Sequence, residues 1–278
     1  MLTSLVLTFT LLLQAASSSA TVKAWIENHE VWIEKDGEAH VVLYDGMAVE
    51  PVEVSPSGDK VIYAELNPKF DQEHCANTPR QYVVLANASG HVEWKAGPED
   101  ACGEFDRFDW IDEHRIGVMH CGHANCFYWI LDASSGKVLK QLGGGFDFLW
   151  SHNRESVAHR GVGMTPDDGD SLMFDDNLPI YPPTDPTSHF FPIRRIGELT
   201  WSPDDKWLSF GETEYPSYDS YVVLVNPSGR FLRESMPVDV DAAAKVEWID
   251  NTHLQISTSG RTFKFVVTSD TLTEIVQH

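Results

Sequence analysis

The chain is poor in positive charge, in cysteine, in long apolar runs and in helical pattern, and each scarcity closes off a class of protein. Its 278 residues carry 20 Lys and Arg against 42 Asp and Glu, a formal charge of −22. A surface of that sign repels phosphate backbones and anionic headgroups, so nucleic acid and anionic membranes are poor partners. The acidity reads first as a solubility feature and second as an attraction for a basic partner. No stretch after residue 20 approaches the roughly 20 apolar residues that cross a bilayer, so no membrane insertion is expected. Nothing resembles a long amphipathic helix. Also missing are a phosphate-binding glycine loop, a dinucleotide fingerprint, an H-E-x-x-H zinc motif and a G-x-S-x-G nucleophile elbow. No catalytic residue, metal or cofactor is therefore assigned.

Residues 1–20, MLTSLVLTFTLLLQAASSSA, run apolar from Leu2 to Leu13 and end in small residues. This is the pattern of a secretory signal peptide cut near Ala20, although no Lys or Arg precedes the apolar run. A periplasmic or secreted protein of residues 21–278, a single domain and a monomer, is the expectation. Only four cysteines occur, Cys75, Cys102, Cys121 and Cys126. An even count in an exported chain points to two disulfides.

What is abundant is repetition. Residues 52–66 (VEVSPSGDKVIYAEL), 108–121, 148–161, 199–212 (LTWSPDDKWLSFGE) and 246–259 share one phrase: a strand, a polar turn, then an alternating apolar strand. Trp110, Trp150, Trp201 and Trp248 hold one register, filled by Val54 in the first copy. A second phrase, a strand, a Gly-containing tight turn and a strand, recurs at 34–44, 85–95, 131–141 and 224–234. Together they spell four-stranded antiparallel units, a-b-c-d, with the Trp position on strand a. This is an all-β fold, a β-propeller. Five units fill residues 50 to the end, and residues 23–28, 29–37 and 38–46 supply strands b, c and d of another. About 258 residues over six units gives about 43 each, the size of a propeller blade. Six blades, one incomplete, is the expectation, and five blades plus a hairpin the alternative. The blade at 148–196 is the least regular.

In such a meander the a–b and c–d turns share one face of the disc, and the b–c and d–a loops share the other. The first set is short and uniform. The second holds the long, dissimilar segments 67–81, 97–106, 120–126, 161–170 and 212–220. Variable loops on a rigid scaffold are where function resides. Candidate binding residues on that face are Phe70, His74, His120, His123, Glu212, Tyr215 and Tyr218. All four cysteines fall there too, and the blade phasing pairs Cys75 with Cys102 and Cys121 with Cys126. His120, Cys121, His123 and Cys126, with His74 and Cys75, could instead hold zinc. Export favours the disulfide. Asp167, Asp168, Asp170, Asp175 and Asp176 offer oxygen ligands for calcium but lack the spacing of an EF-hand loop. Asn87-Ala88-Ser89 matches a glycosylation sequon on a repeated turn.

The phrases VSPSGDKVIYAE and LTWSPDDKWLSFGE resemble the repeats of TolB-type propellers, and HEVWIEKDGEAHVVLYDG resembles the strand c–d segment that leads into them. The resemblance implies the fold. Members of that group include a periplasmic protein that binds other envelope proteins and propeller domains attached to serine peptidases, so it implies no single role. No functional residue carries over from it. The leading expectation is a non-catalytic propeller that binds a protein or peptide through the irregular face. The alternative is a hydrolase or lyase of the propeller type, with or without a metal's help, working at the channel mouth.

Overall fold

The computed structural model describes residues 22–71 (save 36, 44 and 45), 79–97, 103–122, 126–161, 169–175, 179–181, 193–215, 217–236, 245–258, 261–268 and 271–275. Every regular element among them is a strand. β1 (Lys23–Glu27), β2 (Glu30–Lys35) and β3 (Glu38–Leu43) form a three-stranded sheet. β4 (Ala48–Val54), β5 (Lys60–Leu66), β6 (Gln81–Asn87) and β7 (Val92–Ala96) form the next. A seven-stranded sheet follows. It runs through β8 (Glu104–Trp110), β9 (Arg115–Cys121), β10 (Cys126–Asp132), β11 (Val138–Trp150), β12 (Val157–Gly161), β13 (Ser171–Phe174) and β14 (Pro179–Tyr181). Then come β15 (Ile193–Ile196), β16 (Thr200–Trp201), β17 (Leu208–Tyr215), β18 (Ser220–Val225) and β19 (Phe231–Met236). The last sheet is β20 (Lys245–Trp248), β21 (His253–Thr258), β22 (Arg261–Val267) and β23 (Leu272–Glu274).

These five sheets are six blades, because β11 serves two. Its first half pairs with β10 and its second half with β12, with Gly143–Gly145 at the joint. The first blade has three strands, as expected of the incomplete one, and β1 packs along β4. The fifth blade's strand a is split into β15 and β16 by Gly197-Glu198-Leu199, and both pieces pair with β17.

The turns repeat because their side chains do. Ser55, Ser151 and Ser202 each accept the backbone N–H five residues on, from Lys60, Ser156 and Trp207, at 3.0–3.1 Å. Asp112 and Asp250 do the same work in the third and sixth blades, accepting N–H groups two and three residues on. At the c–d turns Asn87, Asp132 and Asn226 accept from Ser89, Ser134 and Ser228. Such Asx geometry closes a turn locally, which is why it can be read from sequence.

Successive side chains along a strand turn to opposite neighbours, so the middle strands of a blade are buried on both faces. Val61 and Tyr63 face the first blade with Val31 and Ile33, while Ile62 and Ala64 face the third with Phe105 and Phe108. Val223 and Val225 turn to the fourth blade, Val222 and Leu224 to the sixth. Five apolar clusters thus fill the five junctions between consecutive blades. Each fully buried Phe, Leu or Ile there contributes about 1.5–3 kcal/mol. The Trp register has a second use: Trp150 donates to the Tyr128 hydroxyl, Trp201 to the Leu149 carbonyl and Trp248 to the Ser209 hydroxyl. In each case the acceptor belongs to the preceding blade. Gly117 leaves the space that the Tyr128 ring occupies, since a Cβ there would collide with it.

Candidate functional site

Two polar regions stand out on this frame. The first is in the fifth blade, beneath the β17–β18 turn. Glu212, placed in a loop by sequence, lies inside β17 and is fully buried. Its carboxylate accepts from Arg233 Nε at 3.1 Å and Nη2 at 2.7 Å, with Arg194 Nε at 3.9 Å. Glu214 takes Arg194 at 3.1 Å and Arg233 at 2.6 Å. Arg233 lies over the Tyr221 ring at 3.3 Å, and Arg194 over Tyr181 at 5.7 Å. Burial pushes the Tyr181 phenol above its ordinary range, and the Glu212 charge adds to that. Burial pulls the Arg233 guanidinium down, but Glu212, Tyr181 and Glu214 together carry it above its ordinary value. Two cations facing two carboxylates leave no net charge to attract a ligand. The cluster ties β15, β17 and β19 together.

The scaffold carries an aromatic tip. Tyr218 is 59% exposed, with a left-handed φ of 61°, and its ring meets Tyr215 edge-on at 5.0 Å. Backbone bonds from Tyr218 N to the Glu214 carbonyl and from Glu214 N to the Asp219 carbonyl fix the turn at 2.8 and 2.9 Å. Tyr215 and Tyr218 thus form an aromatic pair at this turn, half-buried and exposed respectively.

The remaining predicted residues divide. Phe70 is half-buried with the Arg80 guanidinium 6.0 Å over its ring, in the second blade and away from the tyrosines. His120 is a candidate on the loop face. Instead it is 4% exposed at the end of β9, stacked on Trp129 at 5.4 Å and edge-on to Phe105. It faces inward because strand alternation turns it to the blade junction. Cys121 and Cys126 form the expected disulfide, joining directly opposed residues of β9 and β10. Such a bridge belongs to an oxidising compartment. His74, Cys75, Cys102, His123, Asp167, Asp168, Asp176 and residues 1–20 lie outside the described residues. Asp170 is engaged by Arg195 at 3.1 Å and the Ile196 N–H at 2.9 Å, and Asp175 by the Val157 N–H at 2.8 Å. Both carboxylates hold strands together. Among the described residues no helix is long and apolar enough to cross a membrane.

The second region was missed in sequence. A cavity of about 420 Å³ opens where strand a of the third, fourth and fifth blades converge, lined by Arg107, Asp147, Phe148, Arg160, Glu198 and Leu199 among others. Arg107 donates to Asp109 at 2.9 Å and across to the Phe148 carbonyl at 2.5 Å. Arg160 repeats the device one blade on, reaching the Ile196 carbonyl and Asp147, each at 2.5 Å. Asp109 also accepts from Tyr128 at 2.8 Å. On β4, Glu53 is held above the usual carboxylate range by partial burial, then by the Asp109 and Glu50 charges. The inner rim is thus lined by mixed charges, each arginine tying its blade to the next. The available signal was the run of polar residues alternating along strand a, as in Glu104-Phe105-Asp106-Arg107-Phe108-Asp109.

No family model matches the chain, and no curated protein does. Solved structures do. Dipeptidyl peptidase 4 of Porphyromonas gingivalis is 11% identical, with a TM-score of 0.58 over 89% of this chain and 42% of that one. A eukaryotic initiation factor is 14% identical, with a TM-score of 0.55 over 92% of this chain and 62% of that one. The chain therefore spans less than two thirds of either neighbour. At such identities the likeness concerns the fold alone, a β-propeller.

Proposed function

We propose that this chain is an exported, non-catalytic propeller, built on TolB-type repeats, that binds a protein or peptide through the face bearing its long loops. The observation that carries this reading is the Tyr215–Tyr218 tip. An exposed tyrosine on a turn anchored by buried ion pairs offers apolar area and a hydroxyl at little entropic cost, the properties of an interface anchor. Flanking loops of unlike length and composition fit a surface shaped for one partner. The disulfide at the end of β9 and β10 supports export.

A photo-crosslinking residue at 218, compared with one at 228 on the opposite set of turns, tests the reading. Crosslinking to a discrete envelope or secreted protein from 218 alone is the expected result. Equal yield from 228 would sink it. The second reading, a hydrolase or lyase at the channel mouth, draws on the charged inner-rim cavity. Turnover of a small substrate that Arg107→Ala abolishes, with 218 crosslinking nothing, would establish that reading instead.

A further inference from the structure

The first blade presents a face that the five apolar clusters do not use. Along β1 and β2, Ala24, Ile26, Val31 and Ile33 turn towards the second blade. Their alternates turn the other way and pair directly across the strands: Lys23 with Glu34, Trp25 with Trp32, Glu27 with Glu30. The two indoles stack at 6.1 Å with an interplanar angle of 15°, and neither belongs to any of the buried clusters. They are half-buried, whereas the Trp residues of the repeat register are bolted into blade junctions. At one end of the indole pair stand Glu27 and Glu30, directly opposed like charges. Cross-strand pairs of one sign destabilise a sheet, so the fold alone gives no reason for this arrangement.

From this we propose that the Trp25–Trp32 pair and the Glu27–Glu30 carboxylates form a receptor for a basic side chain, a lysine or arginine displayed by an extended peptide of a partner. The cation lies over an indole face, within about 6 Å of its centroid, where the ring quadrupole attracts it. The two carboxylates lie at the end of the same stack and exchange mutual repulsion for attraction to one cation. An anionic peptide meets repulsion from both, and a neutral apolar one leaves the carboxylate pair unrelieved. The site lies on a different blade from the Tyr215–Tyr218 tip and stands or falls separately from the function proposed above.

The probe is acetyl-Arg-Gly-Arg-amide, with acetyl-Glu-Gly-Glu-amide as control, titrated into the full chain carrying ¹⁵N-labelled indoles. The expected result is weak binding that shifts the Trp25 and Trp32 indole resonances. Glu27→Gln/Glu30→Gln should weaken it roughly tenfold or more, with a similar loss in high salt. That double variant should also raise the melting temperature slightly, since it removes the opposed charges. Binding down and stability up together distinguish a ligand site from a structural one. Tyr215→Ala/Tyr218→Ala should bind the probe as wild type does. The proposal is overturned if the glutamate variant binds equally, if the acidic control binds as well, or if the tyrosine variant is the one that loses binding.

Discussion

Between the fourth and fifth blades, Phe174, Tyr181, Trp201 and Phe210 interlock with Ala158, Leu172, Leu208, Val223 and Val225. On the outer face of the first blade, Trp25 and Trp32 stack on each other and join no cluster. The same turning of successive side chains to opposite faces produces both. The difference is the neighbour. Where a second blade stands opposite, alternate residues become core; where none of the described clusters forms, the same positions carry aromatics ringed by charge. A propeller's core is therefore a set of junctions, not one centre.

Substitution of matched aromatics gives the largest test of that contrast. Phe210→Ala empties a fully buried position in the fourth junction and should cost about 3–5 kcal/mol. Trp25→Ala removes a larger side chain but only a half-buried one, and should cost about 1 kcal/mol, the worth of its stacking. Urea midpoints of the two variants check this. Equal losses would show that the first blade's outer face is a core junction after all.

Much of this was readable beforehand because the information is local. The Ser and Asx turns and the Gly residues of four c–d turns lie within a few residues of the contacts they make, and the Trp register recurs at blade spacing, so blade number and phasing followed from spacing. Trp201 and Trp248 could be set aside as scaffold for the same reason. The candidate site was less legible. Glu212 resembles a loop acid until β17 is seen to extend to Tyr215, pairing with Ile193–Ile196. His120 is turned inward by alternation, and its stacking partner Trp129 lies on β10. The arginines of the inner rim reach carbonyls 41 and 36 residues away, distances no local motif encodes. Tyr218 stands out because it interrupts the repeat.

The ion pairs beneath Tyr218 provide a second, smaller comparison. Arg233→Leu leaves the buried Glu212 with Arg194, 3.9 Å away, as its remaining ion-pair partner among the described residues, and should cost about 3 kcal/mol. Replacing Glu212 and Arg233 together by leucine should cost less than the sum of the single losses, because no uncompensated charge remains. A double-mutant cycle on denaturation free energies measures the coupling. Additive losses would mean that each charge is satisfied by other groups.

The smallest effect expected separates the junctions by pH. Tyr128, in the third junction, and Tyr181, in the fourth, are both held above the ordinary tyrosine range, chiefly by burial and then by Asp109 and Glu212 respectively. A phenol with a raised native-state pKa favours the folded state fully below its unfolded value of about 10. That contribution is lost as pH rises beyond it. Urea midpoints at pH 9, 10 and 11 should therefore be flat and then fall, by about 1 kcal/mol per phenol at the last step. Tyr181→Phe should remove its share of the slope and leave that of Tyr128. If the slope persists unchanged in Tyr181→Phe, the fourth junction admits water at high pH, and its aromatic packing is less complete than the burial of Phe210 and Tyr181 indicates.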